Sequence, residues 1–310
     1  MAQPAGFHNA QMPHHVCKLN RSIYGLKQAP RAWFDRLSTC LLNFGFHCYH
    51  SDPSLFIFKE NSTLLLMLIY VDDIILIGTN AIIMQHLITK LGLEFALKDL
   101  GALHYFLDIE VHSTPQGRML TQSKYTKDVL LKANMLYASH FTLMALSSTS
   151  SPNDGDLVDA TTYRSIVGSL QYLTLTRPDI VYAVNKVCQH MQTTTINNFR
   201  DVKRILRYLK GTLSHGITFH KNSNLNLYAF CDADWGGCPS TRRSTTGYCI
   251  FLEANCISWS SKKQPTIARS STEAEYRAMA NTTAELTWLT FLFRDIGIPL
   301  HRPPHYFVTT

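Results

Sequence analysis

Residues 64–78 read LLLMLIYVDDIILIG: two unbroken apolar runs with an adjacent pair of carboxylates, Asp72 and Asp73, between them. Each run has the length of a buried strand, and together they predict a hairpin with the acid pair at or near its turn. Neighbouring carboxylates repel, so they need a reason to share a site. A divalent cation is one such reason. Oxygen ligands bind magnesium, and paired metal ions clamp the attacking and leaving oxygens of a phosphoryl transfer. A plain polar turn is the other reason, and the spacing alone leaves both open. A membrane span is excluded, because two carboxylates at its centre would cost several kcal/mol in hydrocarbon.

The rest of the chain must supply a core around this hairpin. At 310 residues and 45% apolar it can bury one or two cores, and two are expected. A net charge of +7 suits a polyanionic partner without requiring one. The eight cysteines (Cys17, Cys40, Cys48, Cys188, Cys231, Cys238, Cys249 and Cys256) show no CxxC and no zinc spacing. With no signal peptide, they read as reduced thiols of an intracellular, non-secreted protein.

Along the chain, residues 1–62 begin without a clear core strand. They carry a helix over about 30–43, where Trp33, Phe34, Leu37, Leu41 and Leu42 fall at helical spacing. A helix is expected over about 81–91 and a second hairpin over about 101–121, turning at 114–117. Residues 147–155, SSTSSPNDG, are the best linker. Residues 156–222 read as largely helical, and 223–310 as strands followed by one long helix over about 271–296.

Two stretches beyond the linker carry candidate chemistry. In FRDVKRILRYLK (199–210), Val202, Ile205, Leu206 and Leu209 define one helix face. Arg200, Lys203, Arg204, Arg207 and Lys210 occupy the others; they could track phosphates or form a solvated face. Further on, Leu225, Leu227, Ala229 and Cys231 alternate with Asn226, Tyr228, Phe230 and Asp232, a strand ending in a carboxylate. A hairpin over 241–261 follows, turning near Glu253. The long helix opens on Ser-Ser-Thr-Glu, a capping box with Ser270 at the N-cap and Glu273 at N3. That occupies Glu273 and leaves Glu275 to face the strand.

These segments together resemble one family. Residues 24–33 (YGLKQAPRAW) and Tyr70-Val71-Asp72-Asp73 are similar to blocks of copia-type retrotransposon Pol polyproteins. The same holds, in the same order, for 95–111 (FALKDLGALHYFLDIEV), 163–180, 204–212, 231–251 and 270–278. The resemblance implies an α+β or α/β fold in three parts. Residues 1–146 would be a reverse transcriptase palm and thumb fragment, 147–222 a linker and helical connection, and 223–310 a truncated ribonuclease H-like domain. It implies RNA-directed DNA synthesis and hybrid RNA cleavage, Mg2+ as cofactor, and an RNA/DNA template–primer duplex as partner. No membrane association is implied, and the parent family works in cytoplasmic particles.

The resemblance makes Asp72 and Asp73 palm metal ligands. Asp232 and Glu275 become the first two nuclease ligands, and Asp234 a weaker candidate. The basic residues Arg200, Lys203, Arg204, Arg207 and Lys210 would lie along the duplex between polymerase and nuclease. It also exposes departures. A third palm aspartate belongs on a strand before 24–33, yet the chain opens on MAQPAGF, which resembles the sequence after that strand. Thr309 stands near an expected nuclease aspartate, and Asp108 stands where the family usually has Gly. The expectation is a fragment of an RNA-directed DNA polymerase with ribonuclease H, inactive as this chain unless flanking sequence supplies the missing carboxylates; the alternatives are a catalytically dead nucleic-acid-binding remnant and a decayed element with no selected role.

Overall fold

The computed structural model describes residues 3, 6–16, 18, 25–137, 139, 142, 143, 159–221, 225–300 and 302–308. The expected linker at 147–155 and Thr309 lie outside these. The chain divides into two compact units, Met1–Asp99 and Leu100–Thr310.

The first unit is an antiparallel sheet with two helices. Helix α1 (Ala29–Phe44) has a proline in its first turn, where the missing N–H costs nothing. It ends at Gly45, whose φ of 108° is left-handed and closes the last carbonyls. Strands β1 (His47–Tyr49), β2 (Asp52–Glu60), β3 (Thr63–Tyr70) and β4 (Asp73–Gly78) pair in sequence order. Helix α2 (Ala81–Glu94) follows, its Asn80 cap accepting the Ile82 and Ile83 N–H groups. Leu37 and Leu41 of α1 and Leu87 and Leu91 of α2 close over Phe56, Phe58, Leu65, Met67 and Ile69 of the sheet. The apolar run of β3 thus resolves into alternation, with Leu65, Met67 and Ile69 buried and the residues between them half-buried.

Strand β2, after α1, is a core strand that the sequence pattern did not mark. Phe56, Ile57 and Phe58 are buried in succession, so no period-2 signal marks it.

The second unit begins with β5 (Tyr105–Phe106), β6 (Ile109–Ser113) and β7 (Gly117–Thr121). Helices α3 (Ser123–Lys132), α4 (Ala160–Leu173), α5 (Val181–Cys188) and α6 (Ile196–Gly211) share a core of Leu130, Tyr163, Val167, Leu170, Val202, Leu206 and Leu209. Strand β8 (Gly216–His220) then returns to pair antiparallel with β7. The described residues of 156–222 are thus largely helical, as expected, and end in one strand: GITFH pairs because β7 offers it an open edge. That pairing also places 105–121 with the later chain.

A second sheet follows, from β9 (Leu227–Ala233), β10 (Thr245–Leu252), β11 (Asn255–Lys263) and β12 (His305–Val308), in the order β11-β10-β9-β12. Its first three strands are antiparallel and β12 runs parallel to β9. The crossover between β11 and β12 is α7 (Ser271–Ile296), whose Leu286 and Leu289 pack on Leu227, Ala229 and Ile250. The fold is mixed α/β with several antiparallel sheets, compatible with an α+β class. No helix among the described residues is long and apolar enough to cross a membrane.

Candidate functional site

In the first unit, Tyr70 pairs with Asp73, leaving Val71 and Asp72 as a two-residue loop. Val71 is forced to φ 51°, a left-handed conformation that a β-branched residue adopts only under strain. Its side chain gains little burial in return, being 49% exposed. Asp72 therefore sits in the loop and Asp73 on the first residue of β4, both exposed. Among the described residues, no group of three His, Cys, Asp or Glu side chains gathers in one place.

In the second unit, β9 alternates so that Leu227, Ala229, Cys231 and Ala233 are buried and Asp232 is exposed. Glu275, one turn into α7, reaches back to this strand, where its Oε1 accepts the Ala233 N–H at 3.2 Å. Burial pushes the Glu275 carboxyl above the usual glutamate range. The Ala233 bond opposes this, while the charge and contact of the Asp232 carboxyl reinforce it. Its Oε2 is buried and meets no hydrogen-bond donor among the described residues. Two adjoining carboxylates with a buried, donorless oxygen form a donor set that suits one hard divalent cation.

The neighbouring acids are otherwise engaged. The Ser270 hydroxyl accepts the Glu273 N–H at 3.1 Å, as a capping residue should. Glu273 differs from the expected box: it accepts the Arg269 N–H at 2.6 Å and pairs with Arg277 at 2.6 Å. Asp234 accepts the Thr245 N–H and fastens its own loop. Along β12, the parallel register ends with Val308 opposite Cys231, one residue short of Asp232.

Helix α6 starts from a reciprocal cap between Thr195 and Asn198, and buries Val202, Ile205, Leu206 and Leu209. Of its cations, Arg200 and Lys203 are exposed, and Arg204, Arg207 and Lys210 are half-buried. The Lys203 ammonium lies 5.0 Å from the Phe199 ring centroid. Arg204 also clasps Thr142, which the helical pattern gave no reason to expect. Nor did patterning point to the polar core behind the acid pair, where Ser244, Thr246 and Gln264 are 0%, 3% and 2% exposed. A glutamine just past a strand reads as surface, and only the tertiary fold buries it.

Residues 1–145 match the family described as reverse transcriptase (RNA-dependent DNA polymerase). The chain is 48% identical to the retrovirus-related Pol polyprotein from transposon RE2 of Arabidopsis thaliana, over 98% of this chain and 21% of that protein. It therefore spans about a fifth of the length of that relative. It is 31% identical to the putative transposon Ty5-1 protein of Saccharomyces cerevisiae, over 92% of this chain and 94% of that one. An uncharacterized mitochondrial protein of Arabidopsis thaliana is 55% identical over 72% of this chain and 93% of its own length.

Proposed function

Because the chain belongs to the copia-type retrotransposon Pol family and carries its reverse transcriptase domain, we propose that it supplies parts of two metal-dependent phosphoryl-transfer sites. One is the palm of an RNA-directed DNA polymerase, the other a ribonuclease H that degrades the RNA of the hybrid. The parts divide as 1–146 palm and thumb, 147–222 linker and connection, and 223–310 nuclease. The observation that carries the nuclease half is the meeting of Glu275 with Asp232 beside the Ala233 N–H. The strand order β11-β10-β9-β12, with β12 parallel to β9 after a helical crossover, agrees with it.

In this reading Asp72 and Asp73 would hold Mg2+ in the palm, and Asp232 and Glu275 would hold it in the nuclease. The ion would polarise a phosphate oxygen and lower the pKa of a bound water or hydroxyl. The chain's own contribution is placement. The strained loop presents Asp72 at the end of its hairpin, and the Ala233 N–H fixes one oxygen of Glu275 in the neighbourhood of Asp232. The partner is a template–primer duplex, held through phosphates by the cations of α6.

Neither acid pair gathers a third ligand among the described residues. A two-metal site needs more donors than two carboxylates provide. In this reading the isolated chain binds nucleic acid without chemistry of its own. Two experiments test this. Manganese titrated into the chain should bind weakly, and Asp232→Asn or Glu275→Gln should abolish that binding. Unchanged binding in both variants would remove the metal assignment. Primer extension on an RNA template should be undetectable, and extension that disappears on Asp72→Asn would overturn the silent reading.

A further inference from the structure

Beside Asp232, the first turns of α7 meet β9 through small side chains. Cys231, Ala233, Ala268, Ala274 and Ala278 form the buried cluster there, with Tyr248, Met279, Tyr306 and Val308 half-buried against it. The larger Leu286 and Leu289 key the helix further along, on Leu227 and Ala229. Near the acids, where the buried side chains are small, a directional bond adds local register.

Gln264 provides it. Its backbone N–H donates to the Ser244 carbonyl at 2.8 Å, which anchors it where β10 and β11 meet. Its side-chain Nε2 donates to Thr246 Oγ1 at 3.1 Å and to the Ala274 carbonyl at 2.9 Å. Thr246 pairs with Ala233, the residue after Asp232, and Ala274 is the residue before Glu275. One buried amide thus ties the α7 backbone beside Glu275 to the Thr246 hydroxyl on β10, the strand that pairs with the Asp232 strand. Its Oε1 has no hydrogen-bond partner among the described residues, a burial cost that an apolar side chain of the same length would avoid.

We propose that Gln264 is a positioning residue for the Asp232–Glu275 pair: it holds the first turn of α7 in the register that lets Glu275 reach Ala233 and a shared divalent cation. This rests on the nuclease reading above. An outer partner of this kind commonly controls metal affinity by about tenfold or more without touching the ion.

The test is Gln264→Met in the full chain, which keeps length and burial and removes the donor. Three readouts are followed: thermal melting, manganese affinity, and amide exchange at Ala233 relative to Ile250 in the same sheet. Ala233 reports the bond to Glu275, and Ile250 reports the sheet. The expected result is melting close to the parent's, Ala233 exchange accelerated about tenfold relative to Ile250, and manganese affinity reduced about tenfold. Thr246→Val, which removes only the second acceptor, should move the same readouts less and serves if the methionine variant does not fold. An unchanged Ala233-to-Ile250 exchange ratio in the folded variant would overturn the proposal, whatever happens to the melting temperature. If the parent itself binds no manganese, the nuclease reading fails, and the exchange ratio still decides the role of Gln264.

Discussion

Arg204 and Thr142 are joined twice, with the guanidinium Nε donating to the Thr142 carbonyl at 3.0 Å and Nη2 to its hydroxyl at 2.6 Å. The cations of α6 are therefore not equivalent. Arg204 holds structure as well as charge, whereas Lys203 projects from the exposed face along the Phe199 ring.

That difference separates two effects on nucleic-acid binding. The log affinity for duplex should fall linearly with log salt concentration. Lys203→Gln should lower that slope by about one unit and leave melting unchanged. Arg204→Gln should lower the slope and also cost about 1 kcal/mol of stability, through the lost clasp. If the triple variant Lys203→Gln, Arg204→Gln, Arg207→Gln keeps the parent's affinity and slope, α6 is only a solvated surface.

Strain at the β3–β4 loop is separately measurable. Val71 occupies φ 51° with a side chain about half exposed. Asparagine tolerates this conformation far better and gives up little burial. Val71→Asn should stabilise the first unit by about 1 kcal/mol, read as a higher melting temperature of that unit. A lower melting temperature would show that the loop is not strained in solution.

Acid sensitivity should come from the ion pair just before α5. Arg177 is 3% exposed and pairs with Asp179 at 2.7 Å, while the Tyr208 hydroxyl donates to the same carboxylate at 2.9 Å. Burial pushes the Asp179 carboxyl up, but the Arg177 bond and charge and the Tyr208 bond outweigh it and hold it below the ordinary aspartate value. A depressed folded pKa means that the stabilisation is present above the unfolded value, about 4. It is lost as pH falls through the lower folded value. Melting temperature should drop on acidification below about pH 4, and Asp179→Asn should remove that part of the dependence. At pH 7 the same variant should cost about 3 kcal/mol, because it strands the buried Arg177 charge. A parent whose acid profile matches the variant's would refute this.

How much of this could be read from the sequence depends on how local each cause is. The β3–β4 hairpin and both ends of α7 were legible, because apolar runs and a capping serine act within a few residues. Glu275 was separable from Glu273 by helix phase, although Glu273 is engaged by the Arg269 N–H and Arg277 rather than by the expected box. Strand β2 was hidden, because Phe56, Ile57 and Phe58 are all buried and alternate with nothing. Strand β8 was hidden because its partner β7 lies on the far side of four helices in the chain. The same distance hid the Arg204 clasp and the Gln264 bridge: each depends on a partner brought close only by the tertiary fold.

The long-range pairing of β7 with β8 yields the last expectation. Gly117 lies opposite His220 at one end of this pair, and Gly216 opposite Thr121 at the other. Neither needs a left-handed backbone; what each supplies is space. A Cβ on Gly117 would collide with the Phe219 carbonyl, and one on Gly216 with the Leu120 carbonyl. Backbone oxygens held in a ladder cannot swing aside as a flexible side chain can. Gly117→Ala or Gly216→Ala should therefore cost about 2 kcal/mol and loosen this pairing first. Amide exchange along β7 and β8, where Met119 faces Thr218, should accelerate, while the β2–β3 pairing of the first unit keeps its protection. Protection lost equally in both units would contradict the division at Asp99, and unchanged protection in β7 and β8 would show that the ladder accommodates the methyl group.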